Sequence, residues 1–190
     1  MLALALLLPA CSGAPKAEGP SASASPSSTP TPDPRPTPAS SNGPARNVPR
    51  PVLPEAAKQN TKEGFAAFTQ YWFDTVTYGL ETGDSGPLRE ISLPDCKMCA
   101  SWITSSNNVS RTGQWQIAPR WNASSFVSDM TPDSEGRIVG NFTLEESESK
   151  TYSSAGVVIE ENRGGRLTGI QSIYAERSNE SWVTAEAGTP

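Results

Sequence analysis

The sequence has no histidine among its 190 residues, so the side chain that most often serves as general base, metal ligand and pH switch is missing. Most hydrolase mechanisms fall away with it. Only three cysteines occur, Cys11, Cys96 and Cys99, too few in the absence of histidine to complete a four-ligand structural zinc site. Neither a metal nor a cofactor is expected. Positive charge is also short, since 15 Lys and Arg stand against 20 Asp and Glu for a net charge of -5. A nucleic-acid binder needs a basic stripe, so nucleic acid is excluded as a partner.

Aromatic residues are absent from Ser12 to Leu53, where Pro, Ser, Ala and Thr dominate. Such a segment cannot bury enough apolar surface to offset its conformational entropy and is expected to be disordered. The alternation in "TPTPDPRPTP" favours polyproline II, which rises ~3.1 Å per residue, so a tether of some forty residues reaches up to about 100 Å. A Pro-rich ligand for a recognition module or a glycosylated stalk are the competing readings.

What precedes the tether is a short apolar run, residues 1–10, too short for a transmembrane span, which needs ~20 residues. It reads as the apolar part of a secretory signal whose true start lies upstream of Met1. Leu8-Pro9-Ala10-Cys11 resembles the lipobox of bacterial lipoproteins. That resemblance implies lipidation of Cys11 and attachment at the extracytoplasmic face of the cell membrane. The expected organisation is a signal at 1–10, a lipid-anchored tether at 11–53, a folded domain at 54–184 and a tail at 185–190.

The domain opens on a long helix. Phe65, Phe68, Trp72, Val76 and Leu80 recur at spacings of three and four, the single apolar stripe of an amphipathic helix, and Gly83 is its stop. Tyr71, Phe73 and Tyr78 fall off the stripe and are expected beneath another layer of the fold, a ligand-binding wall being the alternative. A short helix near Leu88 to Ile91 and a break at Pro94 come next, followed by a further helix with Asp95 as its N-cap. Cys96 and Cys99 then stand two residues apart. With zinc excluded on ligand count, the spacing leaves a local disulfide as the first expectation, a redox pair and free thiols being the alternatives.

Beyond Arg111 the period falls to two. Trp115, Ile117, Pro119 and Trp121 alternate with polar or small residues, and further β-prone runs follow, divided by the turn-forming stretches "PDSEG", "ESESK" and "NRGG". None of these leaves room for a crossover helix, so an antiparallel meander is expected. Helices first and strands afterwards make an α+β fold, with a curved antiparallel sheet wrapped over the helices.

The long helix ending in Thr82-Gly83-Asp84, the paired cysteines and the closing strands resemble a group of actinobacterial lipoproteins whose domain has no assigned function. That domain in turn resembles the cone-like fold of nuclear transport factor 2 and its relatives. The resemblance implies a pocket between sheet and helices, used among relatives for isomerase or dehydratase chemistry, for binding or for assembly. Candidate pocket residues are Trp72, Tyr78, Trp115 and Tyr174. Asp74, Asp84 and Tyr78 are the acid-base candidates, yet Asp84 suits a turn or cap and Asp74 a solvated helix position, so no catalytic residue is assigned. The leading expectation is a non-enzymatic, lipid-anchored module that binds a small apolar ligand or a protein. An isomerase-type enzyme is the alternative, and a homodimer through the sheet face a third reading.

Overall fold

The computed structural model describes residues 34–188; Cys11, the apolar run before it and most of the expected tether lie outside them. Helices come first and antiparallel strands afterwards, as an α+β fold requires. Three α-helices, α1 (Lys62–Thr82), α2 (Gly86–Glu90) and α3 (Lys97–Thr112), precede eight strands.

Helix α1 is the centre of the molecule. Thr61 caps its start, its side-chain oxygen accepting from the Gly64 N–H at 3.0 Å, and Gly83 closes it in the left-handed conformation at φ 77°, where a residue with a Cβ pays a steric penalty. The five stripe residues are all buried. So are Tyr71, Phe73 and Tyr78, because α1 is covered on more than one side. Phe73 packs between Trp121 and Phe142 at centroid distances of 5.7 and 5.8 Å. Buried hydroxyls on the helix bond backbone carbonyls, Thr69 to Phe65 O, Thr75 to Trp72 O and Thr77 to Pro119 O, so they carry no unpaired donor into the core.

The strands form two sheets. In the larger, β2 (Trp121–Val127), β3 (Ile138–Glu146), β7 (Gln171–Ser178) and β8 (Ser181–Gly188) lie in that order, and β6 (Gly165–Arg166) pairs with the far end of β3. In the smaller, β4 (Ser149–Tyr152) lies between β1 (Trp115–Ile117) and β5 (Val158–Asn162). Every ladder is antiparallel. The simple meander is therefore corrected: after β3 the chain leaves the main sheet, and β7 takes the place beside β3. Stacking of Trp115 on Tyr152, with rings 5.2 Å apart and 9° from parallel, joins β4 to β1 instead. Of the three expected turns only "PDSEG" links paired neighbours, β2 and β3. The β7–β8 hairpin turns at Asn179 and Glu180, both at positive φ, as a two-residue connection demands.

Side chains alternate across β3, with Ile138, Gly140, Phe142 and Leu144 buried. At Gly140 a Cβ would stand 2.3 Å from the Phe126 ring, so this strand position is kept clear for an aromatic from β2. Trp182 on β8 stacks on Phe65 at 4.7 Å and donates its Nε1–H to Gln59 O at 3.1 Å. Sheet and helix thus share one aromatic core.

Contacts to this domain begin before Pro54. Ser40 O accepts from Trp115 Nε1 at 2.9 Å, Pro51 O lies 3.5 Å from the Tyr71 hydroxyl, and Arg50 reaches both Asp84 and Glu90. Leu53 packs against the core. At the other end β8 runs to Gly188, past the expected domain limit at 184. No described helix is long and apolar enough to cross a membrane.

Candidate functional site

Between α1, the start of α3 and the inner face of the main sheet lies a cavity of about 150 Å³. Its floor is laid by the buried side chains of Trp72 and Phe73 on α1, Phe142 and Leu144 on β3, and Ile173 on β7. Trp102 on α3 and Trp121 on β2 form a wall, their rings meeting edge to face at 5.6 Å. The less buried Met98, Leu167 and Ala187 stand at the rim. A space of about this size takes one aromatic ring or a short aliphatic chain.

Polar groups on its lining are few. Glu146 at the end of β3 has both oxygens engaged, Oε2 accepting from Trp121 Nε1 at 3.2 Å and Oε1 from Asn162 Nδ2 at 2.6 Å. Ser172 is bonded to Asn141 at 2.7 Å. Gln171, 8% exposed, makes no side-chain hydrogen bond to another described residue. Trp72 Nε1 is a buried donor with no acceptor among the described residues. Among the described residues, no Lys or Arg lies on the lining.

The four residues expected at a pocket do not converge on this cavity. Trp72 reaches the cavity. Tyr78 points its hydroxyl at Asp84, 3.2 Å away at the α1–α2 junction; Trp115 is stacked on Tyr152 in the smaller sheet; Tyr174 lies beneath the Arg137 guanidinium, 5.3 Å from its ring centre. They sit on different elements because a polar-tipped aromatic buries its ring wherever an acceptor or cation meets its edge or face. Phe73, Trp102, Trp121 and Gln171 take their places around the cavity. The sequence carried a signal for two of them: Phe73 falls off the α1 stripe, and Gln171 shares the inward phase of β7 with Ile173 and Ala175, where an apolar residue is the rule.

Asp74 and Asp84 also lie away from the cavity lining. Burial raises the Asp74 carboxyl above its ordinary pKa, with Gln70 and Arg120 opposing. For Asp84, burial acts upward too, but the Gly86 N–H, the Arg50 guanidinium and the Tyr78 hydroxyl outweigh it and hold the group below its ordinary value. Glu81, 5% exposed, is pushed up by burial against the pull of Arg120, whose Nη2 lies 2.9 Å from Oε1. Asp84 is therefore a cap and a clamp, binding the start of α2 to the segment before Pro54.

Cys96 and Cys99 are joined in a disulfide at the start of α3, both 1% exposed. The N-cap of α3 is Cys96 itself, its sulfur accepting from the Cys99 N–H at 3.2 Å, one residue beyond the expected Asp95. The bridge fixes the turn that leads to Met98 and Trp102 at the cavity.

These features define an α+β domain in which helices and antiparallel strands enclose a small apolar cavity. Residues 35–188 match the profile of the Family of unknown function (DUF6318), and the chain belongs to that family. Among solved structures it is similar to the intermembrane space region of chloroplast protein ARC6, at 13% identity and TM-score 0.43 over 68% of this chain and 98% of that one. Aln2 from a Streptomyces species matches at 10% identity and TM-score 0.40 over 67% and 90%. Kfla4162 protein from Kribbella flavida matches at 13% and 0.40 over 64% and 82%. No curated protein matches the chain.

Proposed function

We propose that this chain is a non-enzymatic binding module, held at the extracytoplasmic face of a bacterial membrane by a lipid on Cys11, with a cone-like domain that takes a small apolar ligand. The observation that carries the binding role is the aromatic cavity of about 150 Å³, a volume a packed core does not leave open without loss of dispersion contacts. Its walls come from α1, α3, β2, β3 and β7, so the site belongs to the whole fold. The sequence pattern at Leu8-Pro9-Ala10-Cys11 and the proline-rich tether support the anchor.

Two measurements test the two halves. Toluene added to the full chain should raise its thermal midpoint and perturb the fluorescence of Trp102 and Trp121, and Leu144→Trp, which fills the cavity, should abolish both effects. No response to toluene, phenol, benzoate or benzylammonium in the folded wild type rejects the binding role. The expressed protein should stay with membranes through high salt and leave them on Cys11→Ser, because buried acyl methylenes, at ~0.8 kcal/mol each, are insensitive to ionic strength. Wild-type protein without lipid on its N-terminal peptide rejects the anchor.

A further inference from the structure

Within β3 and β7 the register places Phe142 opposite Gln171, and the inward row of β7 then runs Gln171, Ile173, Ala175. An amide thus occupies a slot in a row of core side chains, on the lining of an apolar cavity. The residue is 8% exposed, its side chain makes no hydrogen bond to another described residue, and its amide atoms are not among the fully buried ones, so they stay open to a ligand. Buried polar groups are nearly always paired, and a side-chain amide offers both a donor and an acceptor. Several other buried side chains have their polar tips met, Trp182 by Gln59, Thr77 by Pro119 and Ser172 by Asn141, whereas Trp72 Nε1 on the same cavity lining is a buried donor with no acceptor among the described residues.

From this arrangement we infer that the ligand is uncharged and carries a single hydroxyl, carbonyl or amide group that pairs with Gln171, its apolar body filling the space between Trp102, Trp121 and Phe73. This inference rests on the binding role proposed above and assigns its ligand class. An anion is disfavoured because no Lys or Arg lines the cavity and a buried unpaired charge is far costlier than a buried dipole. For a cation the available carboxylate is Glu146, whose oxygens already accept from Trp121 and Asn162. The volume of about 150 Å³ limits the body to about one ring.

The test compares toluene, phenol, benzoate and benzylammonium on the full chain, with dissociation constants read by ligand-observed NMR. Phenol and toluene differ by one hydroxyl for one methyl, so their ratio isolates the hydrogen bond. Gln171→Leu should shift the phenol-to-toluene preference about tenfold toward toluene, and the unliganded variant should keep the wild-type fold, since the side chain makes no hydrogen bond to another described residue. Gln171→Met gives the same comparison with an unbranched side chain if the leucine variant fails to fold. An unchanged ratio in the folded variants overturns the inference while leaving the binding role intact. Tightest binding of benzoate or benzylammonium overturns it as well. If none of the four probes binds, the binding role itself has failed.

Discussion

Asp84 and Glu81 lie three residues apart on the chain, yet their surroundings move them in opposite directions. Asp84 is stabilised as an anion by the Gly86 N–H, Arg50 and Tyr78, which overcome its burial, and its pKa is lowered. Its contribution to stability is present above the unfolded pKa, ~3.9, and is lost as pH falls through the lower folded value. Glu81 has the reverse sign. Burial raises its pKa, so its contribution is full below the unfolded value of ~4.3 and declines as pH rises through the folded value. Asp84→Asn should therefore destabilise the protein at neutral pH, with the deficit shrinking in acid. Glu81→Gln should be nearly neutral or stabilising at pH 7, since Arg120 is 64% exposed and keeps its hydration, and it should flatten the decline between pH 4 and 7 in chemical-denaturation midpoints. Parallel pH profiles for the two variants would show that these assignments are wrong. The motif Thr82-Gly83-Asp84 now has a local account: the Thr82 hydroxyl bonds Tyr78 O and accepts from Asp84 N, Gly83 turns the chain, and Asp84 caps Gly86.

At the scale of elements, the pair α1 and α3 sets the width of the cavity. They approach closely at Gly79, where a Cβ would stand 2.5 Å from Ser106 Oγ. Gly79→Ala gains helix propensity but must push α3 away, and the steric term should win, lowering stability by about 1–3 kcal/mol. Ser106→Gly added to it should recover part of the loss, and the pair should show coupling in a double-mutant cycle. Additive effects would mean that the helices do not meet there. Helix α1 was legible in the sequence because its five stripe residues repeat with the helical period, and the burial of Tyr71, Phe73 and Tyr78 followed from their size. Strand existence was legible too. Strand order was not, because the exchange of β4 into the smaller sheet depends on Trp115 meeting Tyr152 across thirty-seven residues, and period-two alternation reads the same in either sheet. Of the four residues expected at a pocket, Trp72 alone lines this cavity: which aromatic does so depends on tertiary partners such as Asp84 for Tyr78 and Arg137 for Tyr174.

Across the whole molecule, the segment before Pro54 shows how a chain without aromatics still belongs to an aromatic domain. Its composition rightly denies it a core of its own, yet it supplies acceptors and a cation to groups that the core cannot satisfy. Ser40 O takes the Trp115 indole proton, Pro51 O stands at the Tyr71 hydroxyl, and Arg50 spans Asp84 and Glu90. The family match begins at residue 35, in keeping with local pairing that starts where Arg35 O accepts from Asn47 Nδ2 and Thr37 bridges Arg46. Each neutral hydrogen bond contributes about 1 kcal/mol net, and part of the Leu53 side chain is buried besides. The Arg50 pairs, whose partners are largely exposed, add little. A chain starting at residue 54 should accordingly be less stable by about 2–4 kcal/mol than one starting at 35, with the same strands and helices. Limited proteolysis of the full chain should leave a resistant fragment beginning near residue 35. A fragment beginning between 50 and 60, together with equal stability of the two truncations, would return this segment to the tether and move the edge of the domain back to Pro54.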